Sequence, residues 1–374
     1  MVSLLRHLDR DRFLPHLYLI YRSGPLLEEI PNDVVITSFE ERSAGARLYL
    51  PGLNHRRRVR DMTRYLQEVK ADVAYDRTFL MTLIAADAAW RAGVPNVSTV
   101  VTDPSLGFAP VAGRFAGVKR RLLHRLYSHS SCVLANSAGA ARSAERFYEL
   151  TTDSVRVHYN GLDLDAVADK SRRPVQDDWW HAESDRTVCR LVTAGRLNRE
   201  KGFHVLIEAL HAAQQQRPET EFRLAILGEG SAREDLSRQI AAHQLTEQIR
   251  LVGFQQNAPA WYKSADIFVL PSFLEGMPNV LLEAMATETC VISTDCPSGP
   301  AEILDHGTYG TLIPVNHVDR LADALLTESA ALTTQTAIDR RAAAAQRVRE
   351  RFSIQSAVEQ LQDIFDELRK TPAT

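Results

Sequence analysis

With 374 residues the chain is too long for one ordinary core and suits two domains of about 150 to 200 residues each. A composition of 45% hydrophobic and 24% charged residues without a low-complexity tract excludes a disordered or fibrous protein. No apolar run approaches the roughly 18 residues of a membrane span, and the start MVSLLRHLDRDR has no long apolar signal core, so the cytosol is the expected compartment. The net charge of −3 conceals an asymmetry: residues 1–160 carry 22 Lys and Arg against 16 Asp and Glu, the remainder 22 against 31. A basic front half is expected to face something anionic. The four cysteines, Cys132, Cys189, Cys290 and Cys296, form no CxxC pair and read as reduced, structural thiols; no His or Cys pair has metal-ligand spacing.

In chain order, Val2, Leu5 and Leu8 mark an amphipathic helix that runs into a strand at 14–21. A βαβ unit needs a strand ahead of such a helix, and none stands there. Further strands are expected at 33–39, 71–76, 96–103 and 131–137, with helices at 58–70 and 78–93, the latter closed by Gly93 before Pro95. The segment 113–130, GRFAGVKRRLLHRLYSHS, sets an apolar stripe of Phe115, Val118, Leu122 and Leu126 among Arg114, Lys119, Arg120, Arg121 and Arg125. That pattern fits either a packed helix with a solvated basic face or a helix lying on an anionic membrane, so residues 113–127 are a candidate peripheral membrane contact. Nucleic acid is not expected, because no reading motif accompanies the charge. The polar, acidic stretch 159–185 reads as a connection between lobes.

The back half alternates continuous apolar runs at 189–195, 222–228, 248–254, 265–272, 290–295 and 310–314 with helical patterns. Strands of that kind indicate a parallel sheet covered on both faces, hence an α/β, doubly wound, Rossmann-like lobe. Such sheets bind ligands at the carboxyl ends of their strands, which predicts a cleft between the lobes. The domain division is 1–160, then 161–352, then a C-terminal segment 353–374. In that last segment a helix with Ile354, Val358, Leu361, Ile364, Phe365 and Leu368 on one stripe is expected to pack back on the front lobe.

Two segments carry the chemistry. In AGRLNREKGFHVLIEAL (194–210), Arg196 and Lys201 leave a strand end beside a helix start, which makes an anion site suited to phosphate. In FLEGMPNVLLEAMA (273–286), Pro278 suits the first helical position, with Glu275 in the loop before it and Glu283 about one and a half turns inside. The amides of Gly276, Met277 and Asn279 would favour an anion. Carboxylates beside phosphate repel it unless they accept hydroxyl hydrogen bonds, and a sugar nucleotide supplies both kinds of group.

The motifs GRLNREKG, LGEGSARE, the GF at 253–254, PSFLEGMPNVLLEAMA and SGPAEILDHGTYGTLIP stand in an order and spacing that resemble retaining glycosyltransferases of family 4, over residues 130–365. The resemblance implies the GT-B architecture of two facing Rossmann-like doubly wound domains. It implies that Arg196 and Lys201 clamp a donor diphosphate, that Glu275 binds hydroxyls of the transferred sugar and that Glu283 binds the ribose. The backbone of Gly276, Met277, Pro278 and Asn279 would line sugar and phosphate, and Gly228, Gly230, Gly253 and Phe254 would shape the base pocket. It implies no metal and no separate cofactor, only the substrate, a nucleotide-diphosphate sugar with UDP foremost. The acceptor implied is a glycan or lipid-linked molecule of surface polysaccharide, lipopolysaccharide or glycoconjugate synthesis, reached at the inner face of the plasma membrane.

Family members usually begin with a strand and a glycine-rich loop, whereas this chain starts after both. Asp103 stands where a His often closes the strand; Asp76 and Asp103 are acceptor-side candidates. The triplet DLD at 163–165 is a weak metal-binding candidate in an acidic segment. The rival reading is an inactive nucleotide-sugar-binding remnant with a defective front domain; a GT-B epimerase is a third, without visible motifs.

Overall fold

The computed structural model describes residues 1–43 and 51–370; residues 371–374 of the expected C-terminal segment lie outside these. The chain divides into two compact units, Met1–Gly161 with Ile354–Thr374, and Leu162–Ser353.

In the first unit, β1 (His16–Leu19) and β2 (Val35–Ser38) form a parallel pair, while β3 (Ala74–Arg77), β4 (Asn96–Val100), β5 (Cys132–Ala135) and β6 (Val155–Val157) form a parallel sheet in chain order. Both are covered by shared layers. The helices Pro51–Glu68 and Phe79–Ala92 pack Val59, Met62 and Ile84 with Ala74 of β3 and with Tyr18 of β1. The second of these helices ends where Gly93 turns left-handed, as the sequence indicates. The terminal helix Ile354–Lys370 lays Leu361, Ile364, Phe365 and Leu368 on Val97, Cys132 and Leu134, and Ile354 and Val358 on Leu8. The Phe365 ring lies 6.0 Å from Phe13, just ahead of β1, and 5.8 Å from Tyr75 of β3. Among the described residues no strand pairs with both β1 and β3, so each keeps one edge without a strand partner.

The second unit holds one six-stranded parallel sheet of β7 (Thr187–Ala194), β8 (Thr220–Leu227), β9 (Ile249–Gly253), β10 (Ile267–Leu270), β11 (Cys290–Thr294) and β12 (Thr311–Ile313). Its order is β12-β11-β10-β7-β8-β9. Every residue of β10 and β11 is buried, which is why these strands read as unbroken apolar runs. The strand order reverses between β7 and β10, and the loops that leave the carboxyl ends of these two neighbours form the crevice where such sheets bind ligands.

Several expectations are corrected. The 96–103 strand ends at Val100, and Asp103 instead caps the helix Pro104–Ala112 through the Ser105 N–H at 2.9 Å. The stretch 159–185 is no plain connection: from Leu162 it belongs to the second unit and forms the helices Leu164–Ser171 and Asp178–His181. Trp180 anchors it, fully buried, its ring 5.3 Å from Trp261 and its indole N–H donating to Ser264 Oγ at 2.9 Å. The strand β6 was not foreseen, because it has three residues of which two are exposed.

Candidate active site

The turn after β7 is built for close approach. Asn198 caps the short helical turn Arg199–Lys201 by accepting the Lys201 N–H at 3.2 Å, and Gly202, at φ 67°, opens the helix Phe203–Gln216. A Cβ on Gly202 would sit 2.0 Å from the Pro271 carbonyl oxygen, so only glycine lets this turn rest on the backbone of the turn after β10. The Phe273 N–H donates to the Glu200 oxygen at 2.8 Å and laces the two turns together.

That lacing brings together the two halves that the sequence separates. Lys201 Nζ lies 2.6 Å from Glu275 Oε1, a largely buried ion pair. Ser272 Oγ donates to the same carboxylate oxygen at 2.6 Å, and Ser298 Oγ donates to the Glu275 carbonyl at 2.9 Å. The Glu275 carboxylate is therefore oriented, with one oxygen committed to Lys201 and Ser272. Arg196, on the same turn, is exposed and makes no side-chain hydrogen bond or ion pair among the described residues. One cation is thus fixed and the other free to meet an anion.

The helix Asn279–Ala286 begins one residue later than expected. Pro278, with ψ at 100°, is extended and stands ahead of the helix rather than as its first residue. The Met277 side chain is buried, so only its backbone is available to a ligand, whereas Asn279 is exposed. Glu283 faces a different environment from Glu275. Its carboxyl accepts no hydrogen bond from the described residues, and burial pushes it up to about 7, with the Lys170 ammonium opposing. A desolvated carboxyl without a donor is an open acceptor for hydroxyls.

Gly228 and Gly230 seat the loop after β8 against the loop after β7: a Cβ on Gly228 would lie 2.0 Å from the Gly195 oxygen, and one on Gly230 2.3 Å from the Leu197 oxygen. Their visible work is therefore loop packing, which places the β8 loop beside Arg196. The Gly228 N–H donates to the Gly253 oxygen at 2.8 Å, and the Phe254 ring beyond it is 73% exposed.

The three lesser candidates have internal duties. Asp76 is buried and accepts Thr82 Oγ1 at 2.5 Å and Ser98 Oγ at 2.7 Å; burial raises it to about 7 against these two bonds. Asp103 accepts Ser105 and Ser143 hydroxyls besides its capping bond. Asp163 caps the helix Leu164–Ser171 through the Ala166 N–H at 3.0 Å. Among the described residues no group of three or more His, Cys, Asp or Glu is arranged to hold a metal ion. The residues that sequence reasoning missed are Ser272, Ser298 and Lys170; the first two lie inside quoted motifs but carry no charge pattern to single them out.

The basic segment is not one continuous helix. Residues Gly113–Phe115 form a short 3-10 turn and Ala116–His129 the helix. The buried side is Leu123, Leu126 and Tyr127, while Phe115 and Val118 point to solvent. No helix among the described residues is long and apolar enough to cross a membrane.

The Glycosyltransferase Family 4 model matches residues 1–166, and the Glycosyl transferases group 1 model matches residues 189–328. The N-acetylgalactosamine-N,N'-diacetylbacillosaminyl-diphospho-undecaprenol 4-alpha-N-acetylgalactosaminyltransferase of Campylobacter jejuni is 28% identical over 56% of this chain and 54% of its own length. The D-inositol 3-phosphate glycosyltransferase of Pseudarthrobacter chlorophenolicus is 28% identical over 74% of this chain and 67% of its own. The chain thus spans between about half and two thirds of these relatives' length. Among solved structures, a glycosyltransferase from Rickettsia africae covers 99% of this chain and 94% of its own, with a TM-score of 0.79 at 17% identity. The Anabaena protein HepE in complex with UDP covers 98% and 94%, with a TM-score of 0.78 at 21% identity. Two parallel Rossmann-like units with these neighbours are the GT-B fold. With a family 4 match over the first unit, a group 1 match inside the second and this fold throughout, the chain belongs to the family 4 glycosyltransferases.

Proposed function

We propose that this protein is a retaining glycosyltransferase that moves a hexose or N-acetylhexosamine from a nucleotide-diphosphate sugar, UDP foremost, to a glycan or lipid-linked acceptor in surface polysaccharide, lipopolysaccharide or glycoconjugate synthesis. The observation that carries this reading is the 2.6 Å contact between Lys201 and Glu275 at the strand-order reversal. It puts a phosphate-binding cation and a hydroxyl-binding carboxylate side by side, as the join between a diphosphate and a sugar requires. Arg196 supplies the second cation, and the open Glu283 carboxyl accepts ribose hydroxyls.

The reaction follows from these groups. The bond between the anomeric carbon and the diphosphate oxygen breaks, and its electron pair leaves with the diphosphate. Arg196 and Lys201 oppose the charge that grows there, so the protein's own cations do what a metal ion does elsewhere. Glu275 holds the sugar hydroxyls while the acceptor hydroxyl bonds to the same face of the carbon, and its proton passes to the departing phosphate oxygen. Support for UDP comes from HepE, solved with UDP, and support for a lipid-linked acceptor from the Campylobacter relative, whose name includes diphospho-undecaprenol.

Calorimetry with UDP-, GDP- and ADP-sugars identifies the donor, and transfer of the labelled sugar to lipid and glycan acceptors measures activity. Glu275→Ala and Arg196→Ala are each expected to lower turnover by about 10²- to 10³-fold with an unchanged circular dichroism spectrum. Full activity in both variants overturns the site assignment. The product's anomeric configuration, read by NMR, tests retention, and an unchanged rate in EDTA tests independence from metal. Donor binding without transfer to any acceptor would favour the binding remnant.

A further inference from the structure

We infer that the first unit holds a second ligand site, between the closing turns of the helices Phe79–Ala92 and Ala116–His129, that takes a carboxylate-bearing sugar unit of a glycan. Asn96, the first residue of β4, lines this site, so it stands at the amino ends of the strands and not at the carboxyl ends that form the usual crevice. The inference goes beyond the donor site, which is built from the other unit, and does not depend on it.

The two helices pack through Leu83, Ala86, Leu123 and Leu126. Beside that contact lies a pocket of about 130 Å³, well below the size that takes a drug-sized ligand and suited to one ring. Trp90 and Leu122 line it, and the indole is 57% exposed, an apolar plate on which the C–H face of a sugar ring can lie.

The polar groups of the pocket select the rest of the ligand. Asn96 is only 4% exposed, and its Nδ2 donates to Ser98 Oγ at 3.2 Å and to Ser130 Oγ at 2.9 Å. Both hydroxyls spend their own hydrogens elsewhere, Ser98 on Asp76 at 2.7 Å and Ser130 on the Leu126 oxygen at 2.9 Å, so each can only accept from Asn96. That fixes the amide and leaves its Oδ1 as an acceptor with no donor among the described residues. His129 Nδ1 lies 2.7 Å from the Arg125 oxygen and must donate to it, which makes Nε2 of the neutral ring a second open acceptor. Two acceptors without donors call for hydroxyl groups.

Charge completes the description. Asp87 and Arg91 neutralise each other at 2.8 Å, and burial pushes the neighbouring His55 ring down, so it is uncharged at neutral pH. Arg125 lies 5.6 Å over the Trp90 ring and makes no side-chain hydrogen bond or ion pair among the described residues. One uncompensated guanidinium therefore stands beside the plate, and a planar carboxylate is its two-pronged match. A uronic acid unit carries the apolar face, the hydroxyls and the single carboxylate together, whereas inorganic phosphate meets the guanidinium alone.

The test is NMR titration of the full chain with methyl glucuronide, methyl glucoside and inorganic phosphate, read at the indole N–H of Trp90. The other tryptophans, Trp179, Trp180 and Trp261, belong to the second unit, and the Trp90 signal is identified by its loss in Trp90→Phe. The glucuronide is expected to move that signal saturably and to bind about tenfold more tightly than the glucoside, with no displacement by an equal concentration of phosphate. Arg125→Ala is expected to bring the glucuronide down to the level of the glucoside, and His129→Leu to weaken it about fivefold; both positions are exposed, so the thermal transition should not change. Glu275→Ala, which damages the donor site, should leave the titration as it is, so failure of one site is read apart from failure of the other. A Trp90 signal that the glucuronide does not move overturns the inference, as does equal affinity for the glucoside, displacement by phosphate, or full binding in Arg125→Ala.

Discussion

A carboxyl group drawn away from water without a donor destabilises a fold, and Glu283, half-buried, is in that state. Its value is raised from the ordinary 4.5 to about 7, so between those values the native protein keeps a proton that the unfolded chain has released. Stability therefore falls as pH rises through that window, and Glu283→Gln is expected to stabilise the ligand-free protein at pH 8 by roughly 1 to 3 kcal/mol in urea denaturation. The same residue predicts the opposite trend for binding. Hydroxyl donors need the carboxylate, so donor affinity should rise by up to about tenfold per pH unit as pH climbs towards 7 and level off above it. Calorimetry across pH checks this, and Glu283→Gln should bind more weakly with the slope gone; a retained slope assigns the titration to another group. Ser272 is a positioning residue for Glu275: Ser272→Ala should lower turnover about tenfold while leaving donor affinity nearly unchanged, because a carboxylate still paired with Lys201 loses orientation rather than charge. The identities of Arg196, Lys201, Glu275 and Glu283 were legible because charged residues stand out at strand ends. Their mutual geometry was not: Lys201 and Glu275 meet through 74 positions of intervening chain, and no local pattern says which cation pairs and which stays free.

At the level of elements, what was legible depended on burial. The strands β7 to β11 could be placed within two or three residues because both faces are covered and the composition is continuous. The stretch 159–185 misled because most of its residues are polar, although Trp180 anchors it in the second unit and Trp179 donates to the Glu247 oxygen at 2.8 Å. Trp180→Ala is expected to cost about 3 to 5 kcal/mol, read as a lowered thermal midpoint and as new protease cleavage near 159–185. Which stripe of the basic helix is buried was not legible, since a 3.6-residue pattern containing Leu122, Leu123 and Leu126 allows two apolar stripes, and only the neighbouring helices decide between them. Glycine at a loop crossing is likewise invisible until the crossing partner is known. Gly202→Ala sets a methyl group against the Pro271 oxygen, so it is expected to lower the thermal midpoint and, by parting the two turns, to cost more activity than stability. The two effects are separated by comparing turnover at a temperature where the variant stays folded.

For the whole molecule, two units could be read from length and periodicity, but their make-up in space is less simple than their order in sequence. The first unit includes the last helix, whose Leu361, Ile364, Phe365 and Leu368 complete the cover of β4 and β5. Deleting residues 354–374 should therefore destabilise the first unit and leave the second folded. In urea this appears as a split transition, the early step belonging to residues 1–161. The same arrangement has a consequence for biosynthesis. Residues 1–161 are made before Leu162–Ser353, yet the face of their sheet that the helix Ile354–Lys370 covers stays open until that helix emerges, after all of Leu162–Ser353 has been made. At about 5 to 20 residues per second that is a wait of about 10 to 40 s. During it the nascent chain presents Val97, Cys132 and Leu134 to whatever chaperones stand at the tunnel exit, so the unit whose strands are made earlier is closed only after the other unit has been made.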